Sequence, residues 1–208
     1  MILSWWLATD AAGAVTSLTV SGNKLFGDKA YNELNPHIRI HDVDKDQSGW
    51  NSLCEQLKVS KITSFTACDI GMGPVALRTL ATSLPGALTS VNCLHNPLGE
   101  GVHIIIKVFE ETPRLRTLCG FEEGVEQIDW SKSQKGPVEV ALLAADLKAG
   151  RAIAAIARLV LNGNMITNYG KDLSGLTALC DVLPALKNPI SLELANCNLK
   201  VAEVNELA

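Results

Sequence analysis

The chain has 208 residues, 47% of them hydrophobic and 19% charged, with a formal net charge of −4, room for one substantial domain or two small ones. That balance leaves no broad basic field, which excludes nucleic acid and an anionic membrane surface as partners. Aromatics make up only 5% while Leu, Ala, Val and Ile abound, a composition that suits stacked aliphatic layers better than a core of large rings.

In chain order, the apolar N-terminal run has no basic residue before it and is interrupted by Asp10, so it is not read as a signal peptide. SWWLA precedes the first strand motif by one helix half and reads as a capping helix over the first layer. Adjacent tryptophans cannot share a helix face, so Trp5 or Trp6 is expected to be exposed.

Laid on itself, the chain repeats the pattern L-x-x-L-x-L-x-x-N/C-x-L. Val15, Leu18, Val20, Asn23 and Leu25 make the first copy. Ile62, Phe65, Ala67, Ile70 and Met72 keep the spacing with Ile in place of Asn. Leu88, Val91, Cys93, Asn96 and Leu98 make a third. Val125, Ile128, Trp130, Ser133 and Lys135 form a degraded copy. Ile156, Leu159, Leu161, Asn164 and Ile166 follow, and Pro189, Leu192, Leu194, Cys197 and Leu199 close the series. A strand is expected in every copy, and the usual turn in all but those of Ile70 and Ser133. The key positions are spaced by 47, 26, 37, 31 and 33 residues, so insertions are implied, the longest near residues 28–48.

Between the strand motifs lie helix halves. Pro74–Leu84 and Pro137–Leu147 each open on a proline that suits a first helical turn. Glu100–Thr112 places Val102, Ile105, Ile106 and Phe109 on one face. Asp172–Leu186 is expected to stop or kink at Pro184. Lys45–Leu57 matches Lys171–Leu183 at Lys, Asp, Ser, Gly, Leu, Cys and Leu, so the two segments occupy equivalent places. The apolar stretch Val138–Leu161 carries Glu139, Asp146, Lys148, Arg151 and Arg158, too many charges for a membrane span.

These residues resemble the ribonuclease-inhibitor-like subfamily of leucine-rich-repeat proteins, from about Leu18 to Leu199. The long helical halves, Gly73-Pro74 and Leu98-Gly99-Glu100-Gly101 carry the likeness. The resemblance implies an α/β solenoid, a single domain over 1–208 of about six irregular repeats, with parallel strands on a concave face and helices on a convex one. It also implies a recognition scaffold for another protein.

Residues alternating with the buried strand positions are expected on the concave face: Thr19, Thr66, Asn92, Asp129, Val160 and Glu193, with His95, Lys132 and Asn162 just beyond. Other constellations yield no site. Asp42, Asp44 and Asp46 imitate the opening of a calcium loop, but Gln47 stands where Gly is needed and Leu53 where a bidentate Glu is needed; a solvated acidic insertion is the reading. His37, His41, His95 and His103 show no metal spacing, and HIRIH reads as an exposed loop or edge strand. Six cysteines without a C-x-x-C pair read as reduced, largely buried thiols of an intracellular protein, cytoplasmic or organelle-stromal. No catalytic motif, metal or cofactor is read. The expected function is non-catalytic protein binding, with a structural subunit of a large complex and a GTPase-activating regulator as alternatives.

Overall fold

The computed structural model describes residues 2–27, 29–32 and 35–206. They form two compact α/β units, Met1–Leu115 and Arg116–Ala208.

The first unit opens with helix α1 (Ile2–Leu7) and a 3-10 turn (Asp10–Ala14), then strand β1 (Ser17–Thr19). The expected insertion holds an antiparallel pair, β2 (Lys29–Asn32) and β3 (Asn35–His41), so HIRIH is strand. Next come α2 (Ser48–Val59), β4 (Ser64–Thr66), α3 (Pro74–Ala81) and β5 (Ser90–Asn92). A 3-10 turn at Gly99–Gly101 then leads into α4 (Val102–Glu111). β1, β4 and β5 form a parallel sheet in that order, with Leu18 opposite Phe65 and Phe65 opposite Val91. The second unit runs β6 (Gln127–Asp129), α5 (Pro137–Ala149), β7 (Arg158–Val160), α6 (Ser174–Val182), β8 (Ser191–Glu193) and α7 (Val201–Glu206). Its sheet is β6-β7-β8, also parallel, with Ile128, Leu159 and Leu192 in register. The central apolar residue of each of the six motifs is thus the central residue of a strand, and within each sheet these residues pair with one another.

Layer stacking explains the core. Phe65, Val91 and Leu159 are fully buried, as are Leu77, Leu80, Ile105 and Phe109 on the helices. In the first unit Trp50 lies between Phe26 and Phe65, at ring-centroid distances of 5.4 and 6.3 Å. Its indole N–H donates to the Ala76 carbonyl at 2.9 Å, which meets the need of a buried ring for a partner. Helix α5 is buried along Glu139–Leu147 and extends two residues past the expected Leu147. Gly150, left-handed at φ 56°, ends it with a backbone bond to Asp146. α6 stops at Val182, and Leu183–Ala185 tightens into a 3-10 turn carrying Pro184, as the proline requires.

The two buried repeat asparagines, Asn96 and Asn164, do one job. Asn96 Oδ1 accepts from the Ile70 and Met72 amides at 3.1 and 3.2 Å, while its Nδ2 donates to Ala67, Cys93 and Leu94 carbonyls. Asn164 accepts from the Lys135 amide and donates to Trp130 and Leu161 carbonyls. Cys197 Sγ donates to the Leu161 carbonyl at 3.2 Å. Each group satisfies loop backbone that strands alone leave unpaired. The degraded copies keep the turn, contrary to expectation. Four residues past each strand centre the backbone is left-handed in all six: Gly22, Asp69, His95, Lys132, Gly163 and Asn196. Ser133 donates to the Trp130 carbonyl. Lys135 is buried, its Nζ 4.9 Å from the Trp130 ring centroid. A lysine stem and a tryptophan therefore occupy two places where the other copies put smaller or uncharged apolar residues, and a cation–π contact accommodates the charge.

The three aspartates of the insertion are not merely solvated. Asp44 Oδ1 accepts from the Gly73 and Ala76 amides and Oδ2 from Val75, at 2.8–3.2 Å, capping α3 from outside the helix. Asp46 accepts from Ser48 N–H and O–H ahead of α2, which holds its carboxyl below the usual range, and Asp42 pairs with Lys45 at 3.0 Å. Asp172 repeats the Asp46 contact at the Ser174 amide, so the two matched segments share a cap as well as a sequence. The six cysteines are free thiols, four of them buried, and burial pushes Cys54 up to about 12. Among the described residues no helix is long and apolar enough to cross a membrane.

Candidate binding faces of the two sheets

Side chains flanking each strand centre, buried in β4–β7 and partly buried in β1 and β8, project from the sheet on the side away from the core. In the first unit they fall into rows. Thr19, Thr66 and Asn92 form one, and Ser17, Ser64 and Ser90 another, set by the strand register. The serine row was not foreseen, yet its signal is plain in the chain: TSLT, TSFT and TSVN recur at Thr16, Thr63 and Thr89. The leading threonines are structural. Thr63 and Thr89 hydroxyls donate to the Thr16 and Thr63 carbonyls at 3.0 and 3.1 Å. Asn92 is engaged too, accepting from Cys68 Sγ and the Leu94 amide. Ser17, Ser64, Ser90, Thr19 and Thr66 make no side-chain hydrogen bond among the described residues. The result is an uncharged face of hydroxyls, half-buried to exposed.

The second unit presents different chemistry at the same positions. Asp129, Val160 and Glu193 are in register across β6, β7 and β8. Val160 is only 3% exposed, which corrects its expected place on an accessible face. Its register neighbours are Asp129 and Glu193 on the strands to either side. Glu193 is held by Arg158 at 2.6 and 2.9 Å and by Asn162 Nδ2 at 3.0 Å. The Arg158 guanidinium, then Asn162, keep its carboxyl below the usual range. Asn162 Oδ1 accepts from the Ala195 amide, so this amide ties β7 to β8. Asp129 accepts from Ser131 at 2.9 Å, which lowers its pKa, and remains exposed.

His95 and Lys132 occupy the left-handed turn position, one residue beyond the place of Asn162. Both are exposed. Lys132 lies over Gly163, where an added Cβ would come within 2.9 Å of its Cγ. The expected residues therefore divide between the units: Thr19, Thr66, Asn92 and His95 in the first, Asp129, Lys132, Val160, Asn162 and Glu193 in the second.

One loop escaped the repeat reading. Thirteen residues (161–173) join β7 to α6, against seven from β6 to α5 (130–136) and from β8 to α7 (194–200). Asn168, Tyr169 and Gly170 are successively left-handed, and Tyr169 is 54% exposed. Buried Thr167 anchors the turn by accepting from the Gly170 and Asp172 amides. The surplus Asn-Tyr-Gly was its signal. His37 and His41 lie in β3, where side chains are outside the described set. His103 is exposed, 3.8 Å from Glu100, and no group of three metal-ligating side chains occurs among the described residues. Comparison with protein-family models gives no match, and comparison with curated proteins gives none either.

Proposed function

We propose that the chain is a leucine-rich-repeat protein of the ribonuclease-inhibitor-like kind, and that it works without catalysis by holding another protein against its exposed sheet faces. The observation that carries this reading is the regular presentation of outward side chains. Six strands built on one spacing put their flanking residues in rows, and the αL turn in every copy fixes where the next side chain emerges. Such rows offer many small contacts to a protein surface. Pre-paired groups such as Arg158 and Glu193 lose little side-chain freedom on binding. On this reading both units belong to one run of repeats, in a protein of the cytoplasm or an organelle stroma, a setting that suits six free thiols.

A second reading, a subunit built permanently into a large complex, is favoured by one observation. Ile2 is 86% and Trp5 70% exposed at the first helix, and Val201 is 78% exposed at the last, apolar area that a stable neighbour covers.

The test compares the native mass of the endogenous protein in a gentle extract with that of the isolated chain by light scattering. A native mass above the isolated chain's own, reduced by the charge reversals Asp129→Lys and Glu193→Lys, supports recognition through the second unit's face. A large mass that those reversals leave alone supports the permanent-subunit reading. A native mass equal to the isolated chain's sinks both.

A further inference from the structure

The loop from β7 to α6 carries a side chain that its own fold does not use. Ile166 and Thr167 have no exposure, and the four residues after them, Asn168, Tyr169, Gly170 and Lys171, are all exposed. Backbone bonds close this tip. Asn168 N–H donates to the Met165 carbonyl, Lys171 N–H to that of Asn168, and the Gly170 and Asp172 amides to that of Thr167. The closure holds three successive left-handed residues, at φ 46°, 60° and 78°. Asparagine and glycine adopt that conformation readily, but for a bulky side chain it is costly. Tyr169 nevertheless takes the middle place, and among the described residues its side chain makes no hydrogen bond or ring contact. Met165, on the same loop, is 44% exposed. Between residues 116 and 200 these two are the large hydrophobic side chains exposed among the described residues.

We propose that this loop is a recognition element separate from the sheet faces, and that its partner is a protein with an apolar pocket for Tyr169. Strained conformations of this kind persist where the surroundings enforce them, and they cluster at functional sites. A side chain at a loop tip fills a pocket rather than forming one, whereas small ligands lodge in concave sites, so the partner is a macromolecule. A net charge of −4 gives nucleic acid or an anionic bilayer no field to follow, which leaves protein. Tyrosine suits the task because its ring buries a large area while only two side-chain angles are frozen. Such anchors carry most of an interface's energy, and the closed tip fixes the backbone beneath the ring before any partner arrives. The charges nearby describe the rim of the pocket. Asp172 is engaged by the Ser174 amide, while Lys171 at the tip and Lys132 over Gly163 are exposed. The pocket therefore offers an acceptor to the phenol and carboxylates to the two lysines.

The test has two parts. Tyr169→Gly is expected to keep the wild-type circular dichroism and to melt at or above the wild-type temperature, because glycine removes the strain. A lower melting temperature makes the ring a structural part of its own loop and overturns the proposal. The chain with p-benzoylphenylalanine in place of Tyr169 is then irradiated in a gentle extract of its source cells. The expected result is one cross-linked adduct of defined mass whose second component is a protein. Excess wild-type chain suppresses it, and Tyr169→Gly needs at least about ten times the concentration to do the same. Asp129→Lys suppresses it as well as wild type does, which separates this contact from recognition on the sheet face. The proposal is overturned by the absence of an adduct, or by one with nucleic acid or lipid. An adduct that Tyr169→Gly suppresses as well as wild type, or that Asp129→Lys fails to suppress, overturns it too.

Discussion

At the residue scale, the buried polar side chains divide by what they accept and donate. Asn164 uses both ends of its amide on loop backbone in the second unit's interior, whereas Asn23 is exposed and donates only within its own turn. Asn164→Ala strands two buried backbone groups and one part-buried one and is expected to cost about 2–4 kcal/mol in urea unfolding, and Asn23→Ala about 1 or less. Equal losses would refute the distinction. Asp146 is the other case. Its carboxylate is fully buried on α5 and accepts from Thr117 O–H and from the Leu118 and Cys119 amides at 2.7–3.1 Å. Burial outweighs those donors and pushes it up to about 6 from the model-compound 3.8. Its contribution is therefore complete below about pH 4, where both states hold the proton, and is lost as pH rises through about 6, on the order of 3 kcal/mol in all. The stability of wild type relative to Asp146→Asn should accordingly shrink from pH 4 to pH 7. A widening gap would mean that the donors win over burial.

At the element scale, the matched segments Lys45–Leu57 and Lys171–Leu183 give a comparison within one chain. Gly49 and Gly175 are equivalent second residues of α2 and α6, but their surroundings are opposite. Nothing lies within 4 Å of a Cβ added at Gly49, whereas one at Gly175 collides with the Pro137 backbone at the start of α5. Gly49→Ala is expected to raise stability by about 0.5–1 kcal/mol through helix propensity and a less flexible unfolded chain. Gly175→Ala is expected to lower it by about 1–3 kcal/mol through overpacking. Thermal unfolding of the two variants decides, and the same sign for both would contradict the packing described for α5 and α6. Gly101 reproduces the close approach in the first unit, its added Cβ falling 2.9 Å from Pro74 Cα. A glycine at the start of one helix against the proline that starts the previous one is thus a recurrent way of stacking helices.

At the scale of the whole molecule, stability within each unit is expected to be shared between layers rather than held by each strand–helix pair. Leu159 has no exposure, and its neighbours in register are Ile128 and Leu192 on the flanking strands. Leu159→Asp buries an unpaired carboxylate at a cost of several kcal/mol. Hydrogen exchange is expected to show protection lost along β6 and β8 as well as β7. Loss confined to β7 would mean that the layers fold independently.

Much of this architecture was legible in the chain. The period of apolar residues placed all six parallel strands, because a buried strand centre must be aliphatic or aromatic in every layer, and the prolines at 74, 137 and 184 marked two helix starts and one stop by their fixed backbone angle. Exposure was less legible. Val160 satisfied the alternation rule and is nonetheless buried, since accessibility depends on neighbours that are close in space and about thirty residues away in sequence. The hydroxyl face of the first unit was written in the TSLT, TSFT and TSVN repeats, but its rows exist only through the register of three strands. Asp44 as the cap of α3 was not legible at all. Local sequence determines which residues turn, extend or coil, because those preferences act within a few bonds. Which carboxylate meets which helix end, which face is covered and which charge is neutralised were decided by tertiary structure, because hydrogen bonds and burial act across space regardless of chain distance.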